Sequence, residues 1–366
     1  MRVIVTGGGT GGHIYPALAI ADKFKEMDPE TEILYVGNEE GIEKDVVPKT
    51  GYPMELVDAR WLDKSSPWQL IKTGARVAKG VLEANRVMRK FKPDVVIGTG
   101  GYVCFPVIIA GKRFGARTFL HEQNAFPGLA NRTLEKYVNK VFLGFSDAAK
   151  YFKDSSKMVE AGNPVRKSFF SLNKTEARKK LGFPQDDFIV FSFGGSLGAE
   201  KINEVAFELM QVVNGHEKMR MVFGTGKWYY DSIIKKAEER GIVLKDNILI
   251  KDYIDDMENY LAASDLIISR AGALSVAETT VCGRACILIP SPNVTGNHQY
   301  YNAKAVADRG GAILIEEKDL TSEGLIKEVM HLKNNPEIAE KMGRAARACA
   351  PMKALDIIYD EIQAAL

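Results

Sequence analysis

The sequence is poor in cysteine. Its 366 residues include four, and no two have the Cys-x-x-Cys spacing typical of a metal site. They are Cys104, Cys282, Cys286 and Cys349. We expect all four to be small buried side chains in a reducing compartment. An Asp-x-Asp pair at the end of a predicted strand is also missing, so the sequence predicts neither a metal ion nor another cofactor.

Long apolar runs are missing too. The longest, "YVCFPVIIAG" at 102–111, has about ten residues, whereas a membrane-spanning helix needs roughly 20. The first apolar stretch begins at Val3 and stops at Gly7, which is too short for a signal peptide. We therefore expect a cytoplasmic protein that contacts a membrane, if at all, from its surface.

Neither sign of charge is in large excess. The chain has 49 Lys and Arg against 47 Asp and Glu, a net charge of +2, which gives no reason to expect binding to nucleic acid. Hydrophobic residues make up 46% and charged residues 26%, as in ordinary globular proteins. The length predicts two domains, each with its own core.

Short apolar runs rich in β-branched residues alternate with helical patterns in two successive series. The first series has predicted strands at 2–6, 32–37, 94–100, 117–122 and 140–145, with helices at 16–27, 68–91 and 127–137. The second has strands at 188–195, 220–226, 247–254, 265–269, 285–290 and 311–316, with helices at 198–213, 229–240, 275–282 and 298–308. Continuous apolar strands are typical of parallel sheets covered on both faces. The sequence thus predicts an α/β protein with two doubly wound parallel sheets, joined near 162–166.

Glycines follow several of these strands directly. "VIVTGGGTGGH", "VVIGTGGY" and "IVFSFGGSLGA" share this arrangement, and "MVFGTGK" resembles them. Doubly wound sheets bind ligands at the carboxyl ends of their strands, where glycine allows backbone amides to approach phosphate. Such loops in two domains indicate a polyphosphate held in a cleft between them.

The first loop also fits the dinucleotide pattern Gly-x-Gly-x-x-Gly through Gly7, Gly9 and Gly12, and Pro16 is a favoured first residue for the helix after it. The second predicted strand lacks an acidic residue at its tip, since Glu39 lies too far along. This argues against a dinucleotide site, and an NAD(P)-binding oxidoreductase remains an alternative.

His13 lies where that helix begins. A lone histidine is usually structural, but a helix N-terminus favours the neutral imidazole that a general base requires. The segment "LHEQN" places His121, Glu122, Gln123 and Asn124 at the end of another strand, where Glu122 or Asn124 could face the first loop. The alternative for these side chains is a capping or loop-bracing role.

A third polar segment is "SRAGALSVAETTVCG" at 269–283. Glu278 in a first helical turn can accept both hydroxyls of a ribose, while preceding amides contact phosphate. Ser275 and Glu278 also have the three-residue spacing of a capping box, in which Ser275 would cap the helix. The sequence leaves these two interpretations open.

Taken in order, these segments resemble the MurG family of transferases closely. The motifs run from residue 7 to about 303 and are "GGGTGGH", "GTGGYV", "HEQN", "GNPVR", "GGSLGA", "IDDM", "RAGALSVAE" and "NHQYYNA". The resemblance implies a GT-B fold with two Rossmann-like domains that face a central cleft. Residues 1–163 would form an acceptor-binding, membrane-associating domain, onto which a final helix at about 350–366 packs back. Residues 164–349 would bind UDP-N-acetylglucosamine.

The activity implied is transfer of N-acetylglucosamine from UDP-N-acetylglucosamine to the 4-hydroxyl of MurNAc in undecaprenyl-linked lipid I, with inversion. The product would be lipid II for peptidoglycan synthesis, which links the chain to cell-wall biogenesis, cell shape, cell division and the cell cycle. The location would be peripheral, at the cytoplasmic face of the cell membrane, with other cell-wall or division proteins as further partners. Another GT-B enzyme acting on UDP-N-acetylglucosamine, such as a 2-epimerase, and a non-catalytic nucleotide-sugar sensor are the alternatives.

The resemblance also assigns residues, motif by motif. Those implied to bind UDP-N-acetylglucosamine are Thr10, Gly11, Gly12, Asn124, Arg166, Ser196, Ile254, Ala273, Leu274, Ser275, Val276, Ala277, Glu278 and Gln299. Among these, Ile254 would meet the uracil and Glu278 the ribose. The acceptor diphosphate would contact Gly9, His13, Gly100, Gly101 and Tyr102. The base would be His13 or Glu122, with His13 slightly favoured. Leu197 departs from the polar residue common at its position.

A membrane-binding surface is expected between Arg60 and Lys92. This stretch contains nine Lys or Arg and two acidic residues, with apolar residues clustered near its start. The residues predicted to contact anionic lipid are Trp61, Leu62, Trp68, Ile71, Lys72, Arg76 and Lys79. The alternative is an ordinary solvated helix.

Overall fold

The computed structural model of the chain describes residues 1–59, 67–171 and 173–366, and of residues 67–75 and 295 it describes the backbone. Contacts divide the chain into two compact units. Unit 1 comprises Met1–Val165 together with Pro351–Leu366, and unit 2 comprises Arg166–Ala350. Each unit contains one parallel β-sheet, and the predicted α/β class with two doubly wound sheets is confirmed.

The sheet of unit 1 has the order β3-β2-β1-β4-β5-β6-β7 and is parallel throughout. Its strands are β1 (Arg2–Thr6), β2 (Glu32–Asn38), β3 (Met54–Val57), β4 (Val95–Gly98), β5 (Arg117–Glu122), β6 (Lys140–Leu143) and β7 (Met158–Glu160). In the centre, Val5 pairs with Tyr35 of β2 and with Ile97 of β4. The five predicted strands are confirmed, whereas β3 and β7 at the two edges were not predicted.

Helices cover both faces of this sheet. They are α1 (Gly11–Met27), α2 (Glu43–Val46), α3 (Pro67–Phe91), α4 (Cys104–Arg113), α5 (Leu129–Leu134) and, from the end of the chain, α15 (Ala354–Gln363). Successive β1 side chains enter different cores: Ile4 packs with α3 and α4, and Val5 packs with α1 and α15. The longest apolar run of the sequence forms the buried helix α4.

The start of α1 differs from the prediction. The helix begins at Gly11 rather than at Pro16, because the N–H groups of His13 and Ile14 already donate to the Thr10 carbonyl. Pro16 lies inside the helix, where it removes the bond that its own nitrogen would have made to Gly12. The end of the glycine-rich segment, Gly11 and Gly12, therefore lies in the first helical turn together with His13.

The last helix of the chain packs against the first. The rings of Phe24 and Tyr359 lie 5.1 Å apart in an edge-to-face arrangement, and Lys23 Nζ is 2.6 Å from the Asp356 carboxylate. Ile358 and Ile362 are buried in the same core. These contacts hold α15 in unit 1.

The sheet of unit 2 has the order β10-β9-β8-β11-β12-β13. Its strands are β8 (Phe188–Phe193), β9 (Met219–Gly224), β10 (Ile248–Lys251), β11 (Leu266–Ser269), β12 (Ala285–Leu288) and β13 (Ile313–Leu314). Ile268 pairs with Ser192 of β8 and Ile287 of β12, both in parallel. All six predicted strands are confirmed, although β13 is reduced to two residues.

The helices of unit 2 are α6 (Ser168–Ser171), α7 (Lys174–Leu181), α8 (Glu200–Asn214), α9 (Tyr230–Glu239), α10 (Met257–Ala263), α11 (Ala273–Cys282), α12 (His298–Ala307), α13 (Ser322–Asn334) and α14 (Pro336–Ala348). Helices α6, α7 and α13 were not predicted. Cys104 and Cys286 are buried as expected, whereas Cys282 and Cys349 are partly exposed. No helix in the described ranges is long and apolar enough to cross a membrane.

An ion pair fastens α7 to the sheet of unit 2. Arg178 is 1% exposed and lies 2.6 Å from the Asp265 carboxylate, and its Nε donates to the Ala263 carbonyl at 2.9 Å. Asp265 also accepts the backbone N–H of Ile189 at the start of β8. Because the guanidinium is buried, it depends on Asp265 for compensation of its charge, whereas Asp265 also pairs with Lys174.

We expect Arg178→Ala to destabilise the chain by about 3 kcal/mol, because it leaves a cavity and weakens the compensation of Asp265. In thermal unfolding, the midpoint of unit 2 should fall by roughly 6 to 12 °C. The matched control is Arg344→Ala, which removes an exposed pair with Glu340 at 3.6 Å and should change little. Equal effects of the two substitutions would contradict this account.

Candidate active site

Three loops of unit 1 meet at the carboxyl edge of its sheet. The Gly8 N–H, after β1, donates to the Gly100 carbonyl after β4 at 3.2 Å. Thr99 Oγ1 donates to the His13 carbonyl at 2.7 Å, and Gln123 Nε2, after β5, donates to the Thr99 carbonyl at 2.7 Å. The two glycine loops and the "HEQN" segment are thus brought together, at the place where doubly wound sheets bind ligands.

The imidazole of His13 is held in one orientation. Its Nδ1 lies 2.9 Å from the Gly8 carbonyl and 3.4 Å from Thr10 Oγ1. Because a carbonyl can only accept, Nδ1 is assigned the hydrogen, and Nε2 of the neutral ring keeps its lone pair. Gly100 lies against the ring: a Cβ added there would lie 2.6 Å from Cδ2 and 2.9 Å from Nε2 of His13. A larger residue at this position would displace the imidazole.

Glu122 lies in a different environment, since its carboxylate is buried and accepts four hydrogen bonds. One oxygen accepts the N–H and Nδ2 of Asn124 at 2.9 and 3.2 Å, and the other accepts the Gly128 N–H at 3.0 Å and Asn131 Nδ2 at 2.8 Å. These bonds occupy the roughly four lone-pair sites of a carboxylate. They favour the loop-bracing interpretation over a role as the base.

The other polar residues of "HEQN" are mostly internal. His121 is buried, with Nε2 3.0 Å from the Gly162 carbonyl and Nδ1 3.0 Å from Gln123 Nε2. Burial lowers the pKa of His121 to about 4, so its ring is neutral at pH 7. The sequence places all four side chains at a strand end that would form one rim of the site; His121, Glu122 and Gln123 do not line such a rim, because the sheet core encloses them. Asn124 is half-buried at the rim.

The backbone amides of the first loop are not all directed outward. The Gly9 N–H donates to the Glu43 carboxylate at 3.0 Å. This N–H is therefore not available for the predicted contact of Gly9 with phosphate. Gly11 and Gly12 lie in the first turn of α1, where N–H groups point out of the helix end. Tyr102 is exposed beside the second loop.

Unit 2 has two adjoining cavities at the carboxyl edge of its own sheet. The smaller, of about 180 Å³, is lined among others by Ser196, Tyr253, Ile254, Ser275 and Glu278. The larger, of about 690 Å³, is lined among others by Gly195, Gly198, Arg270, Ser275 and Gln299. Within unit 2 the structure therefore brings together five residues that the sequence singled out, Ser196, Ile254, Ser275, Glu278 and Gln299.

Comparison with known proteins identifies the family. Residues 3–143 match the Glycosyltransferase family 28 N-terminal domain, and residues 189–358 match the Glycosyltransferase family 28 C-terminal domain. The chain belongs to glycosyltransferase family 28. Family 28 relatives include a protein of Alkaliphilus oremlandii, 42% identical over 366 residues, which cover 100% of this chain and 99% of the relative. That relative is named UDP-N-acetylglucosamine–N-acetylmuramyl-(pentapeptide) pyrophosphoryl-undecaprenol N-acetylglucosamine transferase.

Solved structures agree with this family. The crystal structure of Acinetobacter baumannii MurG matches with a TM-score of 0.78 and 25% identity, covering 99% of both chains. A putative UDP-N-acetylglucosamine 2-epimerase from Listeria monocytogenes matches with a TM-score of 0.72 and 20% identity, covering 99% of this chain and 96% of its own. The second match shows the fold alone.

In this family 28 chain, helix α11 presents its first turn to the cavities of unit 2. The helix begins at Ala273 with Gly272 as N-cap, and among the described residues no side chain caps it. Ser275 is therefore the third helical residue and lines both cavities, so the capping-box interpretation is wrong. The cause is that the extended backbone of Gly272 starts the helix before Ser275 is reached.

Glu278 is the titratable group most affected by its surroundings in these cavities. Burial raises the pKa of its carboxyl to about 7; the charge of Arg166 opposes this shift and that of Glu258 adds to it. Arg166 itself lies 3.8 Å from the Glu258 carboxylate. A strongly shifted group in a cavity is a candidate for ligand binding.

Two residues at these sites were missed by sequence reasoning. Arg270 directly follows β11 and contacts the carbonyls of Ile289 and Pro290 as well as Glu317. Its position after a strand end was a usable signal. Glu43 gave no such signal, because its partner Gly9 is 34 positions away in the sequence.

The predicted membrane surface is described in part. Trp61 and Leu62 lie outside the described residues, and Trp68, Ile71 and Lys72 fall on the described backbone of α3. Arg76 is half-buried, and the exposed Lys79 pairs with Asp58 at 3.3 Å and with Glu83 at 3.4 Å. The membrane surface stays a prediction.

The raised pKa of Glu278 predicts a pH-dependent stability. The carboxyl has an ordinary pKa of 4.5 in the unfolded chain and a pKa of about 7 in the folded chain, so it stabilises the fold when it is protonated. This contribution is lost as the pH rises from about 5 to 8. Glu278→Gln should therefore become more stable relative to the original chain over this range, by on the order of 2 kcal/mol. Urea unfolding at pH 5 and pH 8 measures the difference. For the control Glu238→Gln, at an exposed site on α9, the difference in free energy of unfolding from the original chain should be the same at both pH values. The same result for Glu278→Gln would contradict the raised pKa of Glu278.

Proposed function

We propose that this chain transfers N-acetylglucosamine from UDP-N-acetylglucosamine to the MurNAc 4-hydroxyl of undecaprenyl-linked lipid I, producing lipid II. The observation that carries the proposal is the full-length, 42% identical match to a relative bearing that transferase name. The polar loops at the carboxyl edge of each sheet support it, since they suit diphosphate groups on both substrates. The product places the chain in peptidoglycan synthesis.

The donor is assigned to unit 2. The smaller cavity suits the uridine, with Ile254 against the uracil and Glu278 accepting the ribose hydroxyls. The N–H groups of Ala273 and Leu274 point out of the α11 N-terminus, which favours the negative charge of a diphosphate. Arg166 and Ser196 add a charge and a hydroxyl for the same group. Gln299, in the larger cavity, is assigned to the sugar.

The acceptor and the base are assigned to unit 1. Nε2 of His13 takes the proton of the MurNAc hydroxyl while that oxygen attacks C1 of the donor sugar. The bond from C1 to the UDP oxygen breaks, its electron pair leaves with UDP, and the anomeric centre inverts. Glu122 is assigned to holding the loop after β5, because its four hydrogen bonds fix Asn124 and the start of α5. The Gly100–Tyr102 loop is assigned to the acceptor diphosphate.

Substituting the base should reduce turnover much more than it weakens substrate binding. His13→Ala should lower kcat by about 10² to 10⁴-fold, since general base catalysis contributes that much. UDP release from UDP-N-acetylglucosamine, assayed with and without a lipid I analogue, is the measurement. His331→Ala, at an exposed histidine of α13, should keep normal turnover.

Two results would contradict the proposal. Turnover of His13→Ala within about twofold of the original chain would refute the assignment of the base. UDP release that does not require the lipid I analogue would refute the transferase reaction itself and favour an enzyme of the epimerase type.

Peripheral attachment to the cytoplasmic face of the membrane is part of the proposal. Basic residues beside an apolar cluster between Arg60 and Lys92 support it, because such surfaces bind anionic headgroups. In liposome flotation the chain should float with anionic vesicles and remain below with neutral ones. Lys72→Glu combined with Arg76→Glu should abolish flotation, whereas Lys327→Glu with Lys333→Glu, an equal charge change on α13, should not. Equal recovery from both vesicle types would count against the surface.

A further inference from the structure

A buried carboxylate lies directly beneath the first glycine loop. Glu43, the first residue of α2, is 0% exposed. One oxygen accepts the Gly9 N–H at 3.0 Å, and the other accepts the Asn38 N–H at 3.0 Å. Since both oxygens accept hydrogen bonds from backbone donors, the group has the bonding pattern of an ionised carboxylate.

The amide bonded to Glu43 belongs to the peptide group that contacts His13. That peptide joins Gly8 to Gly9: its N–H points to Glu43, and its C=O lies 2.9 Å from His13 Nδ1. A continuous chain of hydrogen bonds therefore runs from the carboxylate through one peptide group to the imidazole. Such chains polarise each member, which makes the carbonyl a stronger acceptor.

We infer that Glu43 is a positioning residue that acts on His13 through the Gly8–Gly9 peptide. Its negative charge orients this peptide so that the carbonyl fixes the Nδ1–H tautomer. The same charge stabilises the imidazolium that forms once Nε2 has taken a proton. This inference rests on the proposed role of His13 as the base.

The surroundings of Glu43 keep the carboxylate in place. A Cβ added at Gly8 would lie 2.3 Å from Oε1, and one at Gly41 would lie 2.0 Å from Oε2. A Cβ at Gly37 would lie 2.8 Å from Cγ. The Glu43 side chain thus occupies space that only glycine leaves open at three positions.

Three other titratable groups packed against these loops in the described part of unit 1 are neutral at pH 7. Tyr35 donates to the Gly7 carbonyl at 2.5 Å, and burial raises the pKa of its hydroxyl well above the usual value. Burial also raises the pKa of the Cys104 thiol, which donates to the Gly100 carbonyl, to about 12. His121 is neutral because its pKa is lowered to about 4. Glu122 is a further buried carboxylate at these loops, but its bonds go to Asn124, Gly128 and Asn131. The charge that acts on His13 through the Gly8–Gly9 peptide is therefore assigned to Glu43.

The test is the pH profile of kcat for Glu43→Gln. The base must be neutral to act, so kcat rises with pH through an acidic limb to a plateau. Loss of the anion makes the imidazole a weaker base. The limb should therefore move to lower pH, and the plateau should fall by about 10 to 100-fold. In a His13→Ala background the same substitution should have little further effect, because its target is gone.

The matched control is Glu135→Gln. Glu135 is also buried in unit 1 and accepts two backbone N–H groups, those of Lys153 and Asp154, both at 2.7 Å. The Glu135→Gln variant should lose about as much stability as Glu43→Gln and should leave the acidic limb of the pH profile unchanged. An unchanged limb and plateau for Glu43→Gln would overturn the inference, and so would an equal shift of the limb by Glu135→Gln. If Glu43→Gln does not fold, E43D keeps the charge on a shorter side chain; it should lower the plateau, and a plateau equal to that of the original chain would overturn the inference.

A second readout separates this inference from the proposed function. The His13 ring signal, assigned by its loss in His13→Ala, is titrated by NMR without substrates in histidine-labelled protein. Glu43→Gln should move its titration midpoint to lower pH, and an unmoved midpoint would overturn the inference. If the midpoint moves while His13→Ala retains full turnover, the link between Glu43 and His13 is supported and the assignment of the base is refuted.

Discussion

The close approach of two backbone loops governs the arrangement of unit 1. The Gly8 N–H donates to the Gly100 carbonyl, and a Cβ at Gly101 would lie 2.4 Å from the Gly8 oxygen, so the chain leaves no room for a side chain there. Because β1 and β4 are neighbours in the sheet, the loops that follow them start from adjacent positions. This contact fixes the positions of the Gly8 carbonyl, which holds the His13 ring, and of Gly100, which lies against the ring. The position of the imidazole is thus a consequence of backbone packing.

Three glutamates, two of them buried and the third half-buried in a cavity, show how surroundings decide what one side chain does. Glu122 accepts four hydrogen bonds and braces a loop. Glu43 accepts two backbone amides, one of which belongs to the peptide that contacts His13. Glu278 lies in a cavity of unit 2, and burial raises the pKa of its carboxyl to about 7. The number and kind of donors around each carboxylate, rather than burial by itself, distinguish bracing from positioning and from ligand binding.

An element could be predicted where its own residues form a local apolar pattern, and it was missed or misplaced where they do not. Central strands such as β1 and β8 are continuous apolar runs, and they were located to within a few residues. The edge strand β3 has one buried residue in four, so it gave no apolar run to detect. The starts of α1 and α11 were misplaced because Pro16 and Ser275 are favoured at helix starts, whereas α1 already begins at Gly11 and α11 at Ala273, directly after its N-cap Gly272. At both helix starts, the backbone path that the sheet imposes overrode the local residue preference.

The sequence by itself determined the two βα series, the glycine loops after their strands, and the order of motifs that pointed to the family. These are local patterns, and burial on both faces of a parallel sheet makes them visible as apolar runs. Only the tertiary structure decided which carboxylate faces which partner. Gly9 meets Glu43 across 34 positions, and Thr99 meets His13 across 86. Contacts of this kind depend on how strands are ordered within the sheet, and no spacing within a single motif encodes that order.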